Sequence, residues 1–405
     1  MDKAYGILER DMEGFKRANV LGTMAEFDFA TLILEAGNSM TAAQLAARAQ
    51  CDARATECLL DALVGMGYFA KNGFSYSVRE EFVPYLDSRT PVTQVPIMRH
   101  YAGLQRAWNR LSYAVKEGKP QKQNCQPGIL GPEQDRVSFI MGMNSVAVRL
   151  TDGVLSSMHE AKVLPLAKGA AILDVGGASG TYTRAFLQDM PDTTAVIFDL
   201  PPVIEMAKKS FAGDPLEGRV GFVAGDFHED ELPSGFDFVW VSAIIHQMDR
   251  EESVHLYQKC LRALKPGGTI AIRDFIMDET RTSPCAGTLF GINMLVNRAG
   301  GRVFSFPEIR EDLEKAGFVQ PVHAVDVPTM CAIATARKPG QGGFVFPSPR
   351  GNSFCSRASC RRPFLQLQKK PVERYQQALE IQRNALVRPW EWAPRLCPRR
   401  RTEPE

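Results

Sequence analysis

From residue 170 onward, short apolar runs alternate with longer stretches whose apolar residues recur at helical spacing. The runs predict strands at 171–175, 195–199, 220–224, 236–243, 268–275, 322–327 and 330–336. Helix-length segments separate the first five strands, which predicts a parallel sheet with crossover helices. The last two runs are close together, as in an antiparallel hairpin at a sheet edge, and Lys265-Pro-Gly-Gly268 predicts the turn before the fifth strand. This half of the chain is therefore predicted to be α/β.

The first hundred residues follow a mainly helical pattern. Apolar residues recur at helical spacing at Phe27, Ala30, Ile33 and Leu34. Thr41 followed three residues later by Gln44 predicts a capping box, and a second helix is predicted from residue 52 to about residue 66. Lys71-Asn72-Gly73 between two apolar stretches predicts a hairpin. Two helices followed by a hairpin are typical of a winged-helix domain.

Winged-helix domains often bind DNA, but the charges here do not suit it. The second predicted helix offers Arg54 against Asp52, Glu57 and Asp61, which is the wrong sign for contact with phosphates. Residues 1–338 carry 35 Lys and Arg against 41 Asp and Glu, a net charge of −6. We therefore predict that residues 1–100 mediate dimerisation, with no role in binding nucleic acid.

Residues 101–165 are predicted to link the two regions. Helical spacing places Trp108, Leu111 and Val115 on one helix, and a polar loop is predicted at 118–133. A methionine-rich helix at about 134–158, which contains Met143, is predicted either as core or as the wall of an apolar substrate pocket.

Composition adds three expectations. Residues 339–405 carry 13 Lys and Arg against 5 Asp and Glu, with 9 of the 26 prolines, which predicts a basic disordered tail or one that binds an acidic partner. The nine cysteines show no Cys-x-x-Cys spacing, which favours a reduced, cytoplasmic setting. A polar start at Asp2 and Lys3 and the lack of a long apolar run predict neither a signal peptide nor a membrane span.

The most informative segment is the glycine-rich turn after the first strand. Asp174 ends an apolar run, and Gly176, Gly177 and Gly180 follow before a helix-like stretch. Glycines in such a turn let backbone N–H groups approach a ligand at the helix N-terminus. Ala178 stands where a dinucleotide-binding motif has glycine, which favours a nucleoside ligand without phosphates. A tight turn without any ligand is the alternative.

Two further strand ends carry acidic residues. Asp199, followed by Leu200, is placed to accept both hydroxyls of a ribose, although nicotinamide enzymes use the same device. Asp226 and Phe227 follow the third strand. The carboxylate can accept an adenine amino proton while the ring packs on the base, or it can merely cap a turn.

The fourth and fifth strands end in the residues best suited to proton transfer. His246 follows the fourth strand, four residues after Ser242, and histidine can accept a proton near neutral pH. A histidine satisfied by local hydrogen bonds is the alternative. Asp274 could orient this ring or pair only with Arg273, whereas Asp249 is predicted to cap a helix. The other histidines show no ligand spacing, so no metal site is predicted.

Taken together, these segments resemble the S-adenosylmethionine-dependent O-methyltransferases of the caffeate and acetylserotonin type. The resemblance covers residues 1–338 and rests on 174–180, 198–201, 225–227, His246 and 265–268 as an ordered set. Asn293-Met-Leu-Val296 and Gly300-Gly301 match the family's substrate-lining helix and the loop after it. The resemblance implies a Rossmann-like domain with a seven-stranded sheet, mostly parallel with a C-terminal antiparallel hairpin, after a helical winged-helix dimerisation domain.

The resemblance also implies roles for particular residues and a homodimer. S-adenosyl-L-methionine is the implied cofactor, and its implied contacts are Asp174, Gly176, Gly177, Gly180, Asp199, Leu200, Asp226, Phe227 and Ser242. The implied catalytic residues are His246 as general base and Asp274, and the implied substrate contacts are Met143, Asn293 and Met294. The acceptor would be the hydroxyl of a small aromatic molecule. The predicted domains are residues 1–100, 101–165, 166–338 and the tail 339–405.

Two departures from the family pattern bear on the chemistry. Plant members have His-Asp-Trp where this chain has His246-Gln247-Met248, and a Glu after the glycine pair where it has Val303 following Arg302. The histidine therefore keeps at most one flanking acid. C- or N-methylation, cofactor-assisted hydroxylation and a non-enzymatic winged-helix regulator remain as alternatives.

Overall fold

The computed structural model describes residues 3–121 and 128–340. The predicted basic tail lies outside the described residues from residue 341 onward.

The N-terminal region confirms the predicted order of helices and hairpin. Its elements are α1 (Lys3–Glu26), α2 (Phe29–Glu35), β1 (Met40–Thr41), α3 (Ala42–Ala49), α4 (Ala53–Gly65), β2 (Phe69–Asn72) and β3 (Ser75–Val78). Thr41 and Gln44 form the predicted capping box, and Asp52 caps α4. The three strands form an antiparallel sheet in the order β1-β3-β2. Phe29 and Tyr76 are among the buried residues of this region's core.

The linking region differs in two places from its prediction. It contains α5 (Val83–Leu86), α6 (Val95–Trp108), α7 (Leu111–Glu117) and α8 (Gly131–Glu160). The single helix predicted through Trp108 and Leu111 is wrong, because the chain breaks between α6 and α7 at residues 109–110. The methionine-rich helix begins at Gly131, inside the predicted loop, with Pro132 in its first turn, a position that tolerates proline. The predicted domain bound after residue 100 falls inside α6.

The C-terminal region confirms the predicted seven-stranded sheet. Its strands are β4 (Ala171–Val175), β5 (Thr194–Asp199), β6 (Val220–Ala224), β7 (Phe236–Ser242), β8 (Leu264–Asp274), β11 (Val319–Val325) and β12 (Ala332–Arg337), with the short pair β9 (Ile276–Met277) and β10 (Phe304–Ser305) apart from it. The helices are α9 (Thr181–Asp189), α10 (Pro201–Phe211), α11 (Arg250–Ala263), α12 (Cys285–Asn297) and α13 (Phe306–Lys315).

The sheet order is β11-β12-β8-β7-β4-β5-β6. The first five strands are parallel, and β12 and β11 form the predicted antiparallel hairpin at the edge. The predicted turn at 265–268 is instead a bulge within β8, since Phe236 pairs with Leu264 but Phe238 pairs with Thr269. The carboxyl ends of the parallel strands lie along one edge, and the strand order reverses between β4 and β7, which is where ligands bind in open α/β sheets.

Candidate functional site

The glycine-rich turn joins β4 to α9 and leaves no room for a side chain at Gly176 or Gly180. Gly176 has φ +67°, and a Cβ there would lie 2.5 Å from Ile244 Cδ1 and 3.9 Å from the Phe227 ring. Gly180 has φ +78°, and a Cβ there would lie 2.6 Å from both Ile197 and Phe211. A side chain at either glycine would therefore strain the backbone and collide with side chains of β5, α10 or the turn after β7.

Asp199 at the end of β5 is tied to this turn. The Ala178 N–H donates to Asp199 Oδ2 at 2.9 Å, and the Leu200 N–H donates to Oδ1 at 2.7 Å. Ala178 itself has φ +50°, the left-handed region that glycine would occupy in a dinucleotide-binding motif. Burial raises the pKa of Asp199, while the two N–H bonds lower it. Each carboxylate oxygen can still accept a further hydrogen bond, so the pair suits a vicinal diol.

Asp174 lies beneath the turn. Its side chain is 2% exposed and accepts a 2.6 Å hydrogen bond from Thr183 Oγ1 in the first turn of α9. Burial raises the pKa of Asp174 to about 7, and the nearby Asp199 carboxylate adds to the increase. In this position Asp174 ties the end of β4 to the start of α9, and its direct contact with a cofactor stays a prediction.

We expect Asp174→Asn to weaken the pH dependence of stability between about pH 4 and pH 7. In that range the folded protein holds a proton on Asp174 that the unfolded chain has released, so the free energy of unfolding falls as the pH rises. Asparagine can accept the same bond from Thr183 without ionising. Urea unfolding without cofactor, at about pH 5 and pH 8, measures the difference. The exposed Asp192→Asn is the control and should keep the wild-type pH dependence. If Asp174→Asn and wild type showed the same pH dependence, the raised pKa of Asp174 would be contradicted.

The loop after β6 is fixed by a lysine that the sequence did not single out. Lys259 on α11 is buried, and its Nζ donates to the carbonyls of Phe227, His228 and Asp230 at 2.9–3.0 Å. Three carbonyl partners satisfy all three ammonium donors. Asp226 Oδ1 accepts the His228 N–H at 2.9 Å. Asp226 therefore caps this turn, which was the alternative to adenine binding in the sequence analysis. Lys259 thereby fixes the backbone that carries Phe227 beside Gly176.

His246 lies in a short 3-10 turn after β7 and is oriented by Asp274. Its Nδ1 lies 2.9 Å from both Asp274 carboxylate oxygens, and the ring is 8% exposed. The carboxylate also accepts the Phe275 N–H at 2.8 Å. The alternative pairing of Asp274 with Arg273 does not occur, because Arg273 donates to Ser242 Oγ at 2.7 Å. The single flanking acid expected from the sequence is therefore in place.

The contacts of the His246 ring determine which nitrogen can take up a proton. An ionised carboxylate only accepts hydrogen bonds, so Nδ1 must carry hydrogen and donate to Asp274. That leaves Nε2 to accept a proton. Phe290 of α12 packs edge-on against the ring, with centroids 4.7 Å apart and planes at 88°. Asp249 caps α11 in a capping box with Glu252, as predicted.

The loop after α12 holds the backbone of His246 in place. The Arg302 N–H donates to the His246 carbonyl at 2.9 Å. The Arg302 and Arg281 guanidinium groups both donate to the Glu308 carboxylate, at 2.7 and 2.8 Å. A Cβ on Gly301 would lie 3.2 Å from the same carbonyl, so the close approach needs glycine. Glu308, in the first turn of α13, thus joins the loop that precedes α12 to the loop that follows it.

The predicted substrate residues lie on the helices next to this site. A Cβ on Gly301 would lie 3.3 Å from Met294 Cβ, so Met294 lies beside the loop that bonds to the His246 carbonyl. Asn293 accepts a 3.0 Å hydrogen bond from Trp108 Nε1, so its amide oxygen links α12 to α6. Met143 is half-buried on α8 and directly precedes Asn144.

Asn144 was missed by the sequence argument. Its Oδ1 accepts hydrogen bonds from Ser179 Oγ at 2.9 Å and Thr181 Oγ1 at 2.6 Å, which ties α8 to the glycine-rich turn. A lone asparagine on a long helix gives no signal of such a contact. All substrate roles stay predictions.

Comparison with known proteins defines the class. Residues 108–319 match the family described as the O-methyltransferase domain, and residues 10–82 match the O-methyltransferase dimerisation domain. The first match covers more than half of the chain, so the protein belongs to this O-methyltransferase family. The predicted family, fold and enzyme class are confirmed, as is S-adenosylmethionine as the methyl donor. The alternative hypothesis of a non-enzymatic winged-helix regulator is therefore wrong.

Three relatives illustrate the likeness. Acetylserotonin O-methyltransferase of Gallus gallus is 29% identical over 318 residues, 75% of this chain and 89% of that protein. A Streptomyces sahachiroi 3-hydroxy-5-methyl-1-naphthoate 3-O-methyltransferase is 30% identical over 213 residues, 52% of this chain and 59% of that protein. The structure of human N-acetylserotonin methyltransferase in complex with SAM superposes with a TM-score of 0.70 at 26% identity, covering 84% of this chain and 99% of the human one.

The described residues contain neither a metal site nor a membrane-spanning helix. No group of three or more His, Cys, Asp and Glu side chains there could hold a metal ion. No helix among the same residues is long and apolar enough to cross a membrane.

Proposed function

We propose that this enzyme methylates a hydroxyl group of a small aromatic molecule, with His246 as the general base. The contact between His246 Nδ1 and Asp274 carries the proposal, because it fixes one tautomer and leaves Nε2 to take the proton. The names of the relatives support an aromatic acceptor, since acetylserotonin and a hydroxynaphthoate are both aromatic. The apolar surroundings of Phe290 and Met294 suit such a ring.

The described residues fit the methyl donor. Gly176 lies at a close approach of three strand ends, and Asp199 has carboxylate capacity left for a ribose diol. Asp226 and Phe227 offer an acceptor and a ring for adenine, on a loop that Lys259 fixes. S-adenosylmethionine, when bound, supplies an electrophilic methyl group on a sulfonium centre.

His246 and Asp274 divide the acid–base work between them. Nε2 accepts the hydroxyl proton as the acceptor oxygen becomes nucleophilic, and Asp274 stabilises the imidazolium that results. General-base catalysis of this kind contributes about 10²–10⁴ in rate. The loop bonded through Arg302 to the His246 carbonyl keeps the ring in place.

A screen of hydroxylated acceptors with labelled S-adenosylmethionine tests the proposal. We expect methyl transfer to phenolic or naphtholic hydroxyls, with product mass and fragmentation showing an O-methyl ether. Transfer only to amines or to carbon would contradict it. Calorimetric titration with S-adenosylhomocysteine shows whether the protein binds the cofactor. A lack of methyl transfer to hydroxyls can then be distinguished from a failure of cofactor binding.

We also propose that the enzyme is a homodimer joined through α1. Five apolar side chains of this helix are 46–62% exposed, namely Tyr5, Ile7, Leu8, Met12 and Phe15. Exposed apolar surface of this kind is typical of a protein–protein interface. The matched dimerisation domain includes the C-terminal part of α1.

Replacing Leu8 and Phe15 together with aspartate is expected to convert the dimer to a monomer. Charged side chains in an apolar interface would lose their hydration without gaining partners. Light scattering during size-exclusion chromatography gives the mass directly. The control is Val322→Asp on the edge strand β11, which is similarly exposed but lies outside the matched dimerisation domain. A double variant that stays dimeric would refute the role of α1.

A further inference from the structure

Arg273 is a buried cation without an acidic partner among the described residues. It is 3% exposed, and because adjacent side chains of a strand point to opposite faces, it faces away from Asp274, its neighbour on β8. One guanidinium nitrogen donates to Ser242 Oγ at 2.7 Å, and the group lies 5.1 Å from the centre of the Tyr182 ring. Its Nε finds no hydrogen-bond partner in the described part of the chain.

Two neighbours of Arg273 within the described ranges also carry a buried polar atom without a hydrogen-bond partner. Tyr182 Oη and Trp240 Nε1 are also buried without a hydrogen-bond partner among the described residues. The rings of Tyr182 and Trp240 lie 5.4 Å apart, and Trp240 precedes Ser242 by two residues on β7, on the same face of the sheet. Three unsatisfied groups therefore cluster beside a single positive charge. Buried water could satisfy the donors, but only an anion would also balance the charge.

The cluster lies at the edge of the sheet where the ligands bind. Ser242 is half-buried and ends β7, and the next residue, Ala243, donates its N–H to the Arg273 carbonyl at 2.8 Å. His246 follows three residues later. Arg273 is the penultimate residue of β8 and therefore lies next to the strand ends to which the proposed function assigns the two reactants. A planar guanidinium beside a hydroxyl is well suited to a carboxylate, which can accept two N–H bonds.

We propose that Arg273, with Ser242 and Tyr182, binds a carboxylate carried by one of the two reactants. The inference rests on the proposed function, because it assigns a ligand to the floor of the same site. Two sources share this chemistry, the carboxylate of an aromatic hydroxy acid and the amino-acid end of the cofactor. The hydroxynaphthoate in the name of the 30% identical relative is an example of the first source.

Binding experiments on the wild-type enzyme test the proposal without relying on turnover. One pair of ligands is 3-hydroxy-2-naphthoate and 2-naphthol, measured with S-adenosylhomocysteine present. The other pair is S-adenosylhomocysteine and its decarboxylated analogue. We expect one pair to differ by about 10–100-fold in Kd in favour of the carboxylate, the range for hydrogen bonds to charged groups. No preference in either pair would overturn the proposal, whether or not Arg273 variants fold.

Substitution of Arg273 then assigns the preference to this residue. In Arg273→Met the carboxylate preference should fall below about threefold in the pair that showed it, while Arg273→Lys should retain part of it. Arg337→Met is the matched control, since Arg337 is exposed on the neighbouring strand β12. A preference that survives in a folded Arg273→Met protein would overturn the proposal. Carboxylate binding without methyl transfer to any hydroxyl would instead count against the proposed function alone.

Discussion

Replacing His246 with glutamine is expected to lower kcat by about 10²–10⁴-fold while leaving the affinity for S-adenosylhomocysteine within about twofold of wild type. Glutamine has a similar size but cannot take up the hydroxyl proton. The ring lies against Asp274 and Phe290, and no glycine-rich turn residue contacts it among the described hydrogen bonds, so cofactor binding should not change. Steady-state assays and calorimetry measure the two quantities separately.

The exposed His255 on α11 provides the matched control, and His255→Gln should retain wild-type kcat. Asp274→Asn should show a smaller loss than His246→Gln, because a neutral partner can still accept the Nδ1 hydrogen but stabilises the imidazolium less than a carboxylate does. Unchanged turnover of His246→Gln across all acceptors would exclude His246 as the base.

The size of the His246 effect should depend on the acidity of the acceptor. A phenol that ionises readily gains little from a base, so its rate should fall least in His246→Gln. Alignment of two bound reactants can contribute about 7–11 kcal/mol, which is more than the base supplies. The variant should therefore retain measurable activity, in keeping with a site that has Gln247 where plant relatives have an acid.

The sheet was predictable because its strands are short apolar runs, which are mostly buried in central strands such as β4 and β7. Continuous apolar runs such as 171–175 and 220–224 match β4 and β6 to the residue. Errors arose where local pattern and tertiary contacts differ. The helical spacing of Trp108 and Leu111 continues across a break, and the indole of Trp108 is instead tied to Asn293, far along the chain.

The candidate site was predictable only in part. The residues found from the sequence stand at strand ends, as acids, glycines or a histidine at recognisable spacing. The residues missed are Asn144, Lys259, Arg302 and Glu308, each of which bonds to a group 27 or more residues away along the chain. A lysine within an amphipathic helix gives no sign that its ammonium will be buried among three carbonyls. Such roles depend on packing that no local pattern encodes.

Replacing Asp199 with asparagine is expected to raise the Kd for S-adenosylhomocysteine by about 10²-fold or more. The carboxylate is proposed to accept both ribose hydroxyls, and each hydrogen bond to a charged group contributes about 1.5–3 kcal/mol. Asparagine keeps one carbonyl oxygen and turns the other acceptor into a donor. That donor would face the N–H of Ala178 or Leu200, so the turn should also loosen. Calorimetry gives the affinity, and Asp192→Asn on the exposed turn before β5 is the control.

An analogue of S-adenosylhomocysteine without ribose hydroxyls separates recognition of the ribose from support of the turn. Wild type should bind the analogue far more weakly than the parent compound, whereas Asp199→Asn should bind the two with similar affinity. This coupling is expected only if the carboxylate contacts the hydroxyls, since a damaged turn would weaken both ligands alike. If both proteins lose the same factor on removal of the hydroxyls, Asp199 only supports the turn, and the ribose is recognised by another group.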